Sequence, residues 1–380
     1  MRAFNCIQSD YLGPEPLFKD RQFEIHFRVS RSRFQRLMED VCKINDPFFK
    51  PVSVIHKKKF TSLEAKLLLP LKTLCYGVPS HTFQDYFQMS GTQTKRACDR
   101  FDIILNKIYK SEYLRLPTQA DLKSINDLHK EVHGVSGLIG SLDCMHTYWK
   151  NCPKAWQQSY KGKEKKPTIV LEAACDYHTW FWHCSYGYPG SLNDINIWDM
   201  SPLLEAFIDG SFHAIEKDVG PFKVGKTDLD EMFLLVDGIY PKLSRFAKQY
   251  AQPVGTRERK YTKWHESVRK DIERAFGILQ LQFQFICTPI KILSMKLIGP
   301  RFSACLILHN MLVSDRIMCG DVYATYKPSN QFQEDEDIDV EVPEDIANVQ
   351  VDQNEGMNEG LTNNVGVQNL SETERNTVSK

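Results

Sequence analysis

The sequence predicts an α/β protein: a helical N-terminal region, a mixed sheet flanked by helices, and an acidic C-terminal tail. Three observations carry this reading. Apolar residues recur at three- and four-residue spacing in the first third of the chain. From Gly137 the pattern changes to short apolar, β-branched and aromatic runs closed by turn residues. No aromatic residue follows Phe332, and acids accumulate there. The implied division is a lead over 1–22, a helical domain over 23–130, an α/β domain over 131–317 and a disordered tail over 318–380.

In the helical part, FRVSRSRFQRLMEDVCK starts after a Ser and puts Phe34, Leu37, Met38 and Val41 on one face. SLEAKLLLPLKTLCYG predicts a helix interrupted or kinked at Pro70 and ended by Gly77. Ser80 is placed to cap a short helix, HTFQDYFQ, and Met89-Ser90-Gly91 to turn the chain. A longer helix follows over 92–109, with Ser90 and Gln93 at capping-box spacing. Its inner face is Ala97, Phe101, Ile104, Leu105 and Ile108; its outer face carries Gln93, Lys95, Arg96 and Arg100. Short helix, tight turn and basic second helix over 80–109 fit a helix-turn-helix DNA reader. They fit a plain helical bundle with solvated bases equally well.

In the α/β part, LIGSLDCMHTYW, PTIVLEAACD and TWFWHCSYG read as three strands, the last two a hairpin turned at Tyr177-His178. GYPGSLND is a loop in which Asn193 or Asp194 caps the helix INIWDMSPLLEAF. Met232 to Asp237 is a fourth strand, and 241–250 predicts a helix carrying Lys242, Arg245 and Lys248. A basic loop, AQPVGTRERKYTK, then leads into a helix whose buried stripe is Val268, Ile272, Ala275, Phe276 and Leu279. Glu273 falls at the margin of that stripe. Three strands, a helix, a fourth strand and closing helices match the order of an RNase H-like core.

Composition bounds the rest. At 380 residues and 42% hydrophobic content the chain suits a globular protein with one large domain. No uninterrupted apolar run approaches the ~20 residues that span a bilayer, and the N-terminus lacks the features of a secretory signal. Eleven scattered cysteines without a CxxC pair suit reduced thiols inside a cell. Cys144, His146, Cys152, His183 and Cys184 match no compact zinc-finger spacing. The net charge of zero divides unevenly. Residues 331–380 hold thirteen acids against two bases, which leaves 46 basic and 35 acidic residues in 1–330. A basic body is compatible with binding a phosphate backbone. The acidic tail either competes with DNA for that body or serves only as a solubilising segment.

Three carboxylates stand in settings that suit metal-dependent phosphodiester chemistry. Asp143 lies in the apolar run GLIGSLDCMH, Asp237 ends FLLVDGIYP, and Glu273 lies on a helix with 35 residues between it and Asp237. Strand-end acids and a helix acid can converge, and such a cluster repels itself unless divalent cations neutralise it. Mg²⁺ fits best, Mn²⁺ being the alternative, because Mg²⁺ takes few carboxylates and leaves positions for water and phosphate. Asp194 is a fourth metal candidate, or else a helix cap. Lys161 and Lys163, in a basic cluster with Lys165 and Lys166, and Arg257, Arg259 and Lys260 are DNA-contact candidates with Lys95, Arg96 and Arg100. Arg269 and Glu273, at i,i+4, suit a surface ion pair.

The stretches GLIGSLDCMHTYWKNCP, PTIVLEAACDYHTWFWHCSYGYPGSLNDINIWDMSP, FLLVDGIYPK, RKDIERAFGILQLQF and ILHNMLVSD resemble the PIF/Harbinger superfamily of DDE transposases, its plant- and protist-type branch in particular. They occur in the family's order over about 137–315. Met145 and Val236 depart from the residues common at those positions, but neither departure removes a carboxylate. The resemblance implies an RNase H-like core, DNA cleavage and strand transfer at Asp143, Asp237 and Glu273, and a nuclear location with some protein in the cytoplasm. It also implies a separately encoded Myb-like DNA-binding partner. Self-association is a further expectation. The alternative is a domesticated, non-catalytic DNA- or chromatin-binding protein that keeps the fold.

Overall fold

The computed structural model describes residues 2–50, 61–224 and 227–320; the acidic stretch expected as a tail lies, beyond Gly320, outside the described residues. The first residues are not a bare lead. Helix α1 (Arg2–Ile7) and a π-helical turn (Gln8–Leu12) bury Ile7 and Tyr11 in the core. Helix α2 (Asp20–Phe27) follows, then α3 (Arg31–Ile44), whose first turn is capped by Ser30 Oγ accepting the Arg33 N–H. Helix α4 (Leu63–Tyr76) runs through Pro70 and stops at Gly77. Ser80 does not cap the next helix; it opens a 3-10 turn (Ser80–Phe83) ahead of α5 (Gln84–Phe87). Helix α6 (Gly91–Tyr113) carries both halves of its capping box: the Gln93 N–H donates to Ser90 Oγ at 3.3 Å, and the Ser90 N–H to Gln93 Oε1 at 3.2 Å. Helix α7 (Gln119–His133) leads to the sheet.

Strand β1 (Leu138–Tyr148) is followed by a short α8 (Gln157–Tyr160) and the hairpin β2 (Thr168–Cys175) and β3 (Phe181–Pro189). The helix expected after Asn193 is split into α9 (Asp194–Trp198) and α10 (Pro202–Ile208). Pro202 has no N–H to continue the ladder, and Ser201 caps the second piece by accepting the Leu203 N–H. Helix α11 (Ser211–Glu216) and a separate antiparallel pair, β4 (Phe222–Val224) and β5 (Thr227–Leu229), precede β6 (Phe233–Leu235). No helix forms over 241–250. Phe246–Ala247 instead make an edge strand, β7, beside β6, and Arg245 turns inward to a buried ion pair with Glu216. Helix α12 (Thr256–Gln282), the short α13 (Gln284–Cys287) and α14 (Met295–Met318) close the fold.

The main sheet has the order β3-β2-β1-β6-β7. β1, β2 and β3 are antiparallel, whereas β6 runs parallel to β1 and β7 parallel to β6. One face, through Met145, Leu171 and Ala173, shares a core with α12, α14 and the N-terminal helices. The other, through Leu142, Ala174 and Trp182, packs on Leu203 and Phe212. The protein is therefore a mixed sheet with helices on both faces. Helix α14 is long and apolar enough to cross a bilayer, but most of its apolar window is buried within the fold.

Candidate active site

Helix α12 sets the position of Glu273. Val268, Ile272, Ala275, Phe276 and Leu279 are all buried along one stripe, and Glu273 lies just off it with a half-exposed side chain. One turn earlier, Arg269 reaches two carboxylates at once. Its Nη2 donates to Glu273 Oε1 at 2.7 Å and its Nη1 to Asp143 Oδ2 at 2.9 Å. Asp143 Oδ1 accepts the Cys144 N–H at 2.8 Å. Burial raises the Asp143 pKa above the ordinary carboxylate value, and Asp194 adds to the rise; the Cys144 N–H and Arg269 oppose it.

Strand pairing brings in Asp237. Ser141 of β1 stands opposite Leu235, the last residue of β6, in parallel register, so Asp143 follows two residues later within β1 and Asp237 two residues past the end of β6. Asp237 Oδ1 accepts the Gly238 N–H at 2.6 Å, which holds the carboxylate against its own turn. Lys248 is near: its Nζ donates to the Tyr240 carbonyl at 2.5 Å. Burial lowers the Lys248 pKa, as does Lys242, while Asp237 pulls it back up. His265 of α12, fully buried, makes a 2.9 Å hydrogen bond with the Ala247 carbonyl and ties the helix to the edge strand.

Asp194 is not the cap of α9. Asn193 is, its side chain accepting the Asn196 N–H at 2.8 Å, and Asp194 is the first helical residue, partly exposed. Burial first and then the charge of Asp194 raise the Cys144 pKa. Asp194 thus joins the electrostatic neighbourhood of Asp143. Among the described residues, only His213, Glu216 and Glu231 bring metal-type ligand atoms within 4.8 Å of one another. Arg245 is already paired with both carboxylates of that trio, with Nη2 2.5 Å from Glu216 and 3.2 Å from Glu231. No three of Asp143, Asp194, Asp237 and Glu273 bring ligand atoms within that distance of one another.

The basic candidates lie on several surfaces. Lys95, Arg96 and Arg100 are exposed on α6, but Arg96 stacks on Phe48 at 5.3 Å and Arg100 pairs with Asp46 at 3.4 Å. Lys161 and Lys163 are exposed between α8 and β2. Arg257, Arg259 and Lys260 are exposed in the first turns of α12, where the sequence predicts a loop. Lys242 and Lys248 do not share a helix face, and Arg245 is buried. The Cys and His residues weighed for zinc do not gather: His146 bonds Thr168 and His183 bonds Glu172. The contact of Arg269 with Asp143, 126 residues away, leaves no trace in the sequence; only the Glu273 half of that arrangement has a local signal.

The fold is a mixed sheet flanked by helices, with Asp143 on β1, Asp237 just past β6 and Glu273 on α12; comparisons with known proteins place the chain in a transposase- or nuclease-like class. The chain matches the plant transposon protein family over residues 111–319, and it belongs to that PIF/Harbinger-related family. It is 23% identical over 244 residues to the Bos taurus protein described as "Putative nuclease HARBI1", covering 61% of this chain and 63% of the relative. The Homo sapiens protein of that description is 22% identical over the same share of each chain. The Rattus norvegicus one is 28% identical over 101 residues, or 26% of this chain and 29% of the relative. The chain thus spans under two thirds of the length of these curated relatives. No solved structure matches.

Proposed function

We propose that the protein is a metal-dependent DNA endonuclease and transposase whose catalytic acids are Asp143, Asp237 and Glu273. The observation that carries this is Arg269, one guanidinium held at 2.9 and 2.7 Å between an acid of β1 and an acid of α12. Acids that draw a shared cation form a donor set suited to a hard divalent ion such as Mg²⁺ or Mn²⁺. The strand order, with β6 and β7 parallel to β1 and an antiparallel β1-β2-β3 arm, supports an RNase H-like core. The family match and the nuclease descriptions of the relatives support DNA as substrate.

Asp143, Asp237 and Glu273 would hold the metal, with Asp194 as a further ligand. A bound divalent metal supplies charge that lowers the pKa of a water or 3′-hydroxyl nucleophile and stabilises the leaving oxygen. The chain's own part is positioning. Asp143 is fixed by strand register, Asp237 by the turn that follows β6, and Glu273 by the buried stripe of α12. Lys248 and Arg269 offer positive charge beside a scissile phosphate. Lys161, Lys163, Arg257, Arg259 and Lys260 are placed on exposed surface to follow the DNA backbone, and the α5–α6 region serves as a helix-turn-helix contact. A Myb-like accessory protein and a nuclear site of action belong to the same proposal.

The test is cleavage and strand transfer on DNA carrying the element's ends, with Mg²⁺ or Mn²⁺. Asp143→Asn, Asp237→Asn and Glu273→Gln should each abolish both while unfolding at wild-type denaturant concentrations. Wild-type turnover in any one variant removes that residue from the triad. Wild-type protein that binds the ends yet never cuts them would favour a non-catalytic DNA-binding protein retaining the fold.

A further inference from the structure

We propose that Arg269 is a resident counter-ion of the acid cluster, occupying the place between Asp143 and Glu273 that a divalent cation takes, so that cation binding requires the guanidinium to leave. This rests on the reading of Asp143 and Glu273 as metal ligands. Both oxygens of Asp143 are engaged. Oδ1 is committed to the Cys144 N–H at 2.8 Å, and Oδ2 accepts Arg269 Nη1 at 2.9 Å. Oδ2 is the oxygen of Asp143 not tied to the backbone, and Arg269 lies on it. Oε1 of Glu273 is engaged by the other arm of the same fork at 2.7 Å.

The helix alone does not explain this contact. An Arg placed four residues before a Glu is the weaker orientation of an i,i+4 pair. The contact that fixes the guanidinium comes from β1, across 126 residues of sequence. Arg269 and Asp143 are each about one-fifth exposed, so their attraction is less screened than on an open surface. A guanidinium is planar and forked, and can span two carboxylates from different elements. It carries one positive charge against two negative ones, which leaves the cluster undercompensated and receptive to a doubly charged ion. A divalent cation held by Asp143 Oδ2 and Glu273 would stand against the Arg269 guanidinium that already lies on both, and the repulsion between the two cations would drive the guanidinium away. Exchange of one cation for the other, rather than filling of open space, is then the binding event.

The experiment is direct Mn²⁺ binding to the full chain without DNA, by isothermal titration and by loss of the free-Mn²⁺ paramagnetic signal. Wild type, Arg269→Gln, Arg269→Lys and Asp143→Asn are compared. Removing the competing cation should tighten Mn²⁺ binding by about two- to fivefold in Arg269→Gln, the scale of one ion pair. Arg269→Lys, which keeps the charge but cannot fork, should fall between. The rise in unfolding midpoint on adding Mn²⁺ should be larger in Arg269→Gln than in wild type. Unchanged or weaker Mn²⁺ binding in Arg269→Gln overturns the proposal, and the same result in Arg269→Lys overturns it should the Gln variant fold poorly. Asp143→Asn separates the two failures. If it binds Mn²⁺ like wild type, the acid cluster is not the metal site; if it loses Mn²⁺ while Arg269→Gln is unchanged, the site stands and only the counter-ion role falls.

Discussion

Gly140 offers a sharp test of how β1 presents Asp143. Its φ of +131° lies in a region that side chains rarely adopt, and a Cβ there would stand 2.0 Å from the Cys175 carbonyl oxygen on β2. It falls where the β1–β6 pairing shifts register, between Leu138 and Ser141, one residue before the Ser141–Cys175 pair. Gly140→Ala therefore carries two costs. The backbone conformation costs about 1–3 kcal/mol for a non-glycine residue. Relieving the clash means parting β1 from β2 by roughly 1 Å, which weakens adjacent ladder bonds worth about 0.5–1.5 kcal/mol each. The sum is roughly 3–5 kcal/mol. Gly187→Ala in β3 is the internal control, because φ there is +105° but no atom lies within 4 Å of the added Cβ. It should cost only the conformational part, about 1–3 kcal/mol. Urea unfolding of the two variants and wild type measures both, and cleavage activity should fall further in Gly140→Ala as Asp143 shifts. Equal destabilisation of the two variants would refute the close approach of β1 to β2 at this point.

Three further outcomes are expected. Arg301 of α14 is almost enclosed and joins Asp102 at 2.7 Å and Asp99 at 3.3 Å on α6; burial raises the Asp102 pKa to about 6 against the pull of Arg301. Arg301→Met should cost about 3–5 kcal/mol in urea unfolding by stranding that carboxylate, and adding Asp102→Leu should recover much of it; full stability in the single variant would show the pair to be dispensable. Lys95→Ala with Arg96→Ala should change stability by no more than about 1 kcal/mol, chiefly the Arg96–Phe48 contact, yet weaken DNA binding and flatten its salt dependence; an unchanged salt slope makes α6 a packing helix only. His129 is buried, and burial, then His133 and His178, push its pKa down to about 3. Below pH 6.5 the unfolded chain takes the proton that the folded chain refuses, so stability falls as pH drops from about 6.5 toward 3. Relative to His129→Leu, wild type should lose roughly 1.4 kcal/mol per pH unit within that window; parallel curves for the two proteins would exclude the effect.

What is legible in the sequence is what local chemistry decides. The Ser90–Gln93 box and the 268–279 stripe depend on neighbours within four residues, and both stand in the fold as the spacing predicts. The departures have distant causes. Lys242, Arg245 and Lys248 recur at a helix-like spacing, but Glu216 draws Arg245 inward and β6 takes Phe246 and Ala247 as an edge strand, so tertiary pairing overrides periodicity. The apolar residues of the first 22 positions show no clear period, yet Ile7 and Tyr11 are buried in the core, with α1 packed on α4. Asn193 and Asp194 are near-equal as caps by residue type, and only the fold decides for Asn193. At the candidate site the three acids are readable one by one from their settings. The guanidinium that links two of them is not, since no local pattern relates Arg269 to Asp143.

Helix α12 explains why stability and chemistry are separable at this site. A single helix carries the sealed stripe that docks on the sheet, a buried His265 that bonds β7, and a margin bearing Arg269 and Glu273. Residues 272 and 273 are adjacent in sequence, but a turn of about 100° per residue points Ile272 into the core and Glu273 toward the neighbouring strand ends. The position of Glu273 is therefore set by residues sealed in the core. Asp143 and Glu273, from two different elements, are tied to each other only through Arg269. The elements that carry the acids are each held elsewhere: β1 by β2 and β6, β6 by β7, and α12 by its own stripe. The scaffold therefore sets where the backbone of each proposed ligand stands, and an arriving cation would have to displace Arg269 and draw the side chains together rather than move β1, β6 or α12.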